Sequence, residues 1–183
     1  MTKLSINTFI SNHIPEFGYS SKELKEFLPI HHPEAKKVAQ KCLDYESRIY
    51  LNGFVEIIYE NKKFLTEIEG TDDLLFTWDD LAQIVIKQEQ EQEQEQEFEI
   101  NLLDNGSTLN IVRDRANYKL ILDSVHLEEK NSTSILSIPS DEWIEEIKGS
   151  FELFVDFCKS ELVFDEESEY NHILDTQSKM KDF

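Results

Sequence analysis

Apolar residues recur at helical spacing in two long stretches. Leu74, Leu75, Trp78, Leu81, Ala82, Val85 and Ile86 form the stripe of an amphipathic helix. Thr71 is expected to cap it, with Asp72 and Asp73 in the first turn at the positive end of the helix dipole. The second stripe, Trp143, Ile144, Ile147, Phe151, Phe154, Val155, Cys158 and Leu162, predicts a long closing helix capped by Ser140. Two short helices are expected near the N-terminus. Ser20 and Glu23 have the capping-box spacing ahead of KELKEFL, which Pro29 stops. Pro33 then suits the first position of a helix in which Ala35, Val38, Ala39, Cys42 and Leu43 recur up to about Glu46. His31 and His32 fall in the loop between the two.

From Arg48 the pattern turns β-branched and aromatic. RIYLNGFVEIIYE, a turn at Asn61, Lys62 and Lys63, and FLTEIE predict a hairpin, with Gly53 marking a bulge or bend in its first strand. FEINLL and TLNIV flank Asp104, Asn105, Gly106 and Ser107, a strong turn signal because Asn and Gly accept positive φ at little cost. A turn at Asp114 to Asn117, the strand YKLILDSVHL, the polar loop EEKNST and the strand SILSIP complete a meander of sequential neighbours. The expected class is α+β: an antiparallel meander of about six strands packed against two long amphipathic helices, with two short N-terminal helices, in one domain over 1–183.

Two segments break the pattern. QEQEQEQEQE, residues 88–97, has no apolar position and reads as a low-complexity helix extension or loop of solvated residues. Its i,i+4 glutamate pairs each cost about 0.2 to 0.5 kcal/mol, so the first turns should extend the helix and the last should fray. After Phe164, DEESEYNHILDTQSKMKDF loses periodicity and reads as an acidic tail over 165–183, with one weak apolar pair at Ile173 and Leu174.

Charge changes the picture most. The 183 residues carry 18 Lys and Arg against 38 Asp and Glu, a net −20. The excess is lopsided: residues 1–70 hold 9 basic and 10 acidic side chains, residues 71–183 hold 9 and 28. Such a surface disfavours direct binding to nucleic acid, which rests on cations displacing counterions, and disfavours anionic membranes for the same reason. It can instead steer a basic protein. The N-terminus has no apolar run long enough for a signal-peptide core, and no stretch approaches the ~20 apolar residues of a membrane span, so a cytoplasmic location is expected. The sequons at Asn105 and Asn131 then carry no meaning. Cys42 and Cys158 lie on apolar helical faces without metal or redox spacing and read as reduced core residues.

Motifs for chemistry are scarce. Five isolated glycines form neither a P-loop nor a dinucleotide fingerprint, and Asp104, Asn105 and Gly106 lack the other ligands of a calcium loop. His13, His31, His32, His126 and His172 include no i,i+4 pair for zinc. His126 with Glu128 and Glu129 would suit acid–base work if they converged in a cleft, but a solvated strand end is the preferred reading. Paired carboxylates at Asp79–Asp80, Glu128–Glu129 and Glu145–Glu146 are uninformative among so many acids, and no G-x-S-x-G motif is present. No catalytic residue, metal or cofactor is nominated.

The hairpin GFVEIIYENKKFLTEIE running into DDLLFTWDDLAQIV, the meander FEINLLDNGSTLNIVRDRANYKLIL and the closing SDEWIEEIKGSFELFVDFC make residues 48–163 resemble, in layout, bacterial immunity proteins of polymorphic and contact-dependent growth-inhibition toxin systems. That resemblance implies a non-enzymatic inhibitor that binds a cognate toxin domain, often a nuclease, and covers its active or substrate surface. The carboxylates expected to meet such a basic partner are Glu128, Glu129, Asp165, Glu166, Glu167 and Glu169, in a polar loop and just beyond a helix. The competing classes are an acidic DNA mimic or other regulatory binding protein, and a small enzyme whose site is assembled only by the fold.

Overall fold

Two antiparallel sheets and four helices share one core in the computed structural model, which describes residues 3–14, 18–19, 21–70, 72–90, 97–102, 106–114, 116–125 and 132–182. The α+β class holds, but the single meander divides. One sheet runs β4 (Phe27–Pro29), β1 (Leu4–Ser11), β5 (Asn52–Tyr59), β6 (Lys62–Leu65), and β7 (Asp72–Asp73) also pairs with β5. The other is the expected meander, in the order β11 (Ser132–Pro139), β10 (Asn117–Ser124), β9 (Ser107–Asp114), β8 (Glu97–Leu102). A small hairpin, β2 (His13–Ile14) with β3 (Gly18–Tyr19), stands apart. The separation arises because the predicted hairpin β5–β6 does not continue into the meander. Its first strand pairs with β1 from Leu4↔Tyr59 to Ile10↔Gly53, some fifty residues away in sequence.

Gly53 is required by that pairing rather than by a bulge. A Cβ there would lie 2.0 Å from the Phe9 carbonyl oxygen and 2.8 Å from Leu74 Cδ1, and the register irregularity in β5 falls between Ile57 and Ile58. The hairpin turns at Glu60 and Asn61, whose φ values of 49° and 65° are the doubly left-handed turn that matches strand twist.

Of the two expected N-terminal helices only the second forms, as α1 (Ala35–Tyr45). The KELKEFL segment enters β4 instead. Seven residues are too few for a helix to persist without packing, and here tertiary contacts favour the extended form. The Asn12 amide donates to the Ser21 and Lys25 carbonyls at 2.9 and 3.0 Å and accepts from Ser21 N–H at 3.1 Å, while Phe27 meets Phe54 edge-on at 4.9 Å.

The long helices are α2 (Leu74–Gln90) and α3 (Ser140–Lys159). Asp73 caps α2, its Oδ1 accepting from Leu75 N–H at 3.1 Å, whereas Thr71 lies outside the described residues. Ser140 is the first helical residue of α3 after Pro139, not its cap, and its Oγ has no partner among the described residues. Trp78 on α2 packs on Phe154 and Phe151 of α3 and donates its indole N–H to Thr8 Oγ1 at 3.1 Å. Trp143 on α3 packs on Tyr118 of β10, so α3 joins the two sheets.

The segment expected to be an acidic tail contains α4 (Tyr170–Met180), which packs against α2 and α3. Its buried face is Ile173, Thr176, Gln177 and Met180. Thr176 bonds Asp79 and Gln83, and Gln177 bonds Glu152 and Lys159. A face half polar in composition is why hydrophobic periodicity does not reveal it. The Gln/Glu run does extend α2, to Gln90; residues 91–96 lie outside the described set, and Glu97 opens β8.

Beyond β4 the edge of β1 is covered by side chains of α3 instead of a strand. Glu142 Oε1 accepts from the Lys3 and Leu4 amides at 2.8 and 2.9 Å, Glu146 Oε1 from the Ile6 amide at 3.1 Å, and Ser150 Oγ donates to the Ile6 carbonyl at 3.0 Å. Positions i, i+4 and i+8 of one helix face thus satisfy alternate backbone groups of a strand edge that would otherwise stand open to pairing.

Candidate functional site: an acidic connection beside an apolar cleft

Four of the six predicted partner-binding acids are gathered in the connection between α3 and α4, while Glu128 and Glu129, with His126, lie outside the described residues. Asp165, Glu166 and Glu167 are exposed. Glu169 is not free in the same way, because its Oε2 lies 2.9 Å from His172 Nδ1.

The connection is held by its own backbone. Val163 N–H donates to Gln40 Oε1 of α1 at 2.9 Å, and Asp165 N–H donates to the Arg48 carbonyl at 2.9 Å. Asp165 Oδ1 accepts from Glu167 N–H at 2.9 Å, and its carbonyl accepts from the Ser168 amide and hydroxyl at 3.1 and 2.7 Å. Phe164 stacks on Tyr170 with ring centroids 4.5 Å apart. Nearby Arg48 binds Asp44 at 2.8 Å, and no cation pairs with Asp165, Glu166 or Glu167 among the described residues. Val163 within the connection, 50% exposed, adds apolar surface to this acidic one.

A cleft of about 370 Å³ opens where the edge of β1 passes from the α3 side chains to β4. Its walls include Phe9, Ile30, Leu153 and Phe157, and Lys36 and Asp156 also line it. Leu153 is 65% exposed. Sequence reasoning passed over it, yet the signal was present, since a leucine that falls off the apolar stripe of its own helix has no core to enter. His31, from the loop before α1, lines this cleft; its neighbour His32 is not among the lining residues, and its Nδ1 accepts from Glu34 N–H at 3.2 Å.

A smaller cavity of about 160 Å³ lies by Asp80, Lys87 and Phe98. Partial burial, and then the charge of Asp79, push the Asp80 carboxyl above its ordinary range. Both cysteines are buried and outside any disulfide, and burial, with a smaller contribution from Asp73, pushes Cys158 far up, which suppresses its thiolate at neutral pH. Among the described residues no three His, Cys, Asp or Glu side chains converge to hold a metal, and no helix is long and apolar enough to cross a membrane.

Comparison with protein-family models, with curated proteins and with solved structures yields no match.

Proposed function

We propose that this chain is a non-catalytic acidic binding protein that neutralises a basic protein partner by covering its active or substrate-binding surface, as an immunity protein covers its cognate toxin domain. The observation that carries the reading is the α3–α4 connection, in which exposed, unneutralised carboxylates stand on a backbone that hydrogen bonds hold in place. A backbone already held in place has little conformational freedom left to lose when a partner arrives. The field of the carboxylates also steers a cationic surface before contact. A nuclease toxin carries such a surface, because its groove must hold phosphates. The layout resemblance of residues 48–163 supplies the class of partner. Inhibition by occlusion asks for no cofactor or metal and acts in the cytoplasm of the producing cell.

The test is capture of the partner from the native host with the full chain, followed by its association rate against ionic strength. The comparison is a variant with Glu128, Glu129, Asp165, Glu166, Glu167 and Glu169 changed to amides. Screening shortens the Debye length from about 10 Å at 0.1 M to about 3 Å at 1 M, so the parent should associate more slowly as salt rises. The variant should start slower and show a shallower slope, because rim charges govern association rate. Equal rates and slopes, or a partner that stays fully active in the complex, would refute the proposal.

A further inference from the structure

The apolar cleft and the acidic connection belong to one surface. Lys36, Gln40 and Asp44 stand four residues apart on α1 and so share a face. Lys36 lines the cleft, Gln40 holds the connection through Val163, and Asp44 bonds both Gln40 and Arg48, whose carbonyl receives Asp165 N–H. On the α3 side, Ser160 lines the cleft and leads directly into Glu161.

We infer that this joint surface docks a segment of the basic partner that seats one large apolar side chain in the cleft and places Lys or Arg on the acidic connection about four residues away. The inference rests on the functional reading above and adds to it an anchor and a spacing. Lys36 and Asp156, of opposite charge, leave the cleft itself close to neutral, which suits an uncharged side chain. Its volume falls within the roughly 300–1,000 Å³ of ligand-binding clefts. An apolar anchor beside a charged rim is how interfaces divide lifetime from association rate. The spacing follows from the helix: Lys36 to Asp44 spans about 12 Å at 1.5 Å per residue, which an extended chain covers in about four residues. Lys36 lines the cleft, so cations placed directly after the anchor would meet a like charge there.

The probe is the blocked peptide Phe-Ser-Ser-Ser-Arg-Arg, titrated into the full chain and followed by backbone amide chemical shifts. Two controls carry Gly for Phe, or Phe-Arg-Arg-Ser-Ser-Ser. The first peptide should bind at least tenfold more tightly than either control and shift amides of residues 6–9, 30–31 and 150–160 together with 163–169. Leu153→Asp, at an exposed position, should remove the advantage of Phe over Gly, and Leu153→Ala should reduce it. Changing Asp165, Glu166 and Glu167 to amides should weaken all three peptides and flatten their salt dependence while the Phe advantage persists.

Equal binding of the Phe and Gly peptides, shifts confined to other surfaces, or no binding of any peptide at millimolar concentration would overturn the inference. If the Phe and Gly peptides bind equally but depend on salt and on the three acids, the cleft is rejected and the acidic binding function stands. If the Phe advantage persists while the amide changes alter neither affinity nor salt slope, the acidic reading fails, and with it the Arg half of the docking segment.

Discussion

Replacing Glu142 and Glu146 by Ala should uncover the edge of β1. Each carboxylate accepts from backbone donors of this strand: Glu142 from the Lys3 and Leu4 amides, Glu146 from the Ile6 amide, with the Ser150 hydroxyl also 3.3 Å from Glu146 Oε1. Lys3 is exposed and its amide can turn to water, so it adds little. The Leu4 and Ile6 amides belong to residues that are buried. A buried donor left unmade costs about 1 to 3 kcal/mol, so the double substitution, which strips two of them, should cost about 2 to 6 kcal/mol. That is a large share of the roughly 5 to 15 kcal/mol that holds a domain together. Glu→Gln at both positions keeps an acceptor oxygen and should recover most of the loss. The assay is equilibrium unfolding in urea followed by fluorescence of the buried Trp78 and Trp143, with sedimentation to detect association through the uncovered edge. A double-alanine loss below about 0.5 kcal/mol, the ordinary range for surface changes, with unchanged sedimentation would refute the edge-covering role. So would a Gln pair as damaging as the Ala pair.

Gly53→Ala should lower the urea midpoint sharply, because its Cβ would lie 2.0 Å from a backbone oxygen that cannot move without breaking the β1–β5 pairing; an unchanged midpoint would mean the two strands are not so close. Trp143 is fully buried, so Trp143→Ala should cost about 3 to 5 kcal/mol. Trp143→Phe should cost less, since the indole N–H it removes has no partner among the described residues, and equal losses in the two variants would count against that account. Asp80→Asn should raise the melting temperature at neutral pH. The Asp80 carboxyl is raised in the fold, so its charged form weakens the folded state above the folded pKa, and the penalty disappears below the unfolded value of about 3.9. The gain should therefore vanish as pH falls below that value, and a gain that persists in acid would exclude titration as its cause.

Local pattern alone determined the parts of this protein whose stabilising partners lie close in sequence. The stripes of α2 and α3 and the run of neighbouring strands β8 to β11 follow from period and turn chemistry, as does the acidic bias of the second half, whereas the predicted turn at Asp104 and Asn105 lies outside the described residues. Tertiary structure decided the rest, because there the deciding contact is distant. Leu4, Ile6, Thr8 and Ile10 alternate in the sequence as a strand should, but neither their partner in β5 nor the α3 carboxylates that cover their edge can be read from the alternation. Phe27 to Pro29 is a strand because Asn12 ties down the loop before it and Phe54 receives Phe27. The burial of Thr176 and Gln177 in α4 depends on Asp79, Gln83 and Glu152, which satisfy their polar atoms and so allow a face without apolar periodicity to be buried. The candidate surface divides the same way: its carboxylates were legible as charge in sequence, whereas the cleft beside them exists only because α1, β1 and α3 meet, and a cavity is a property of the gap between elements rather than of any one of them.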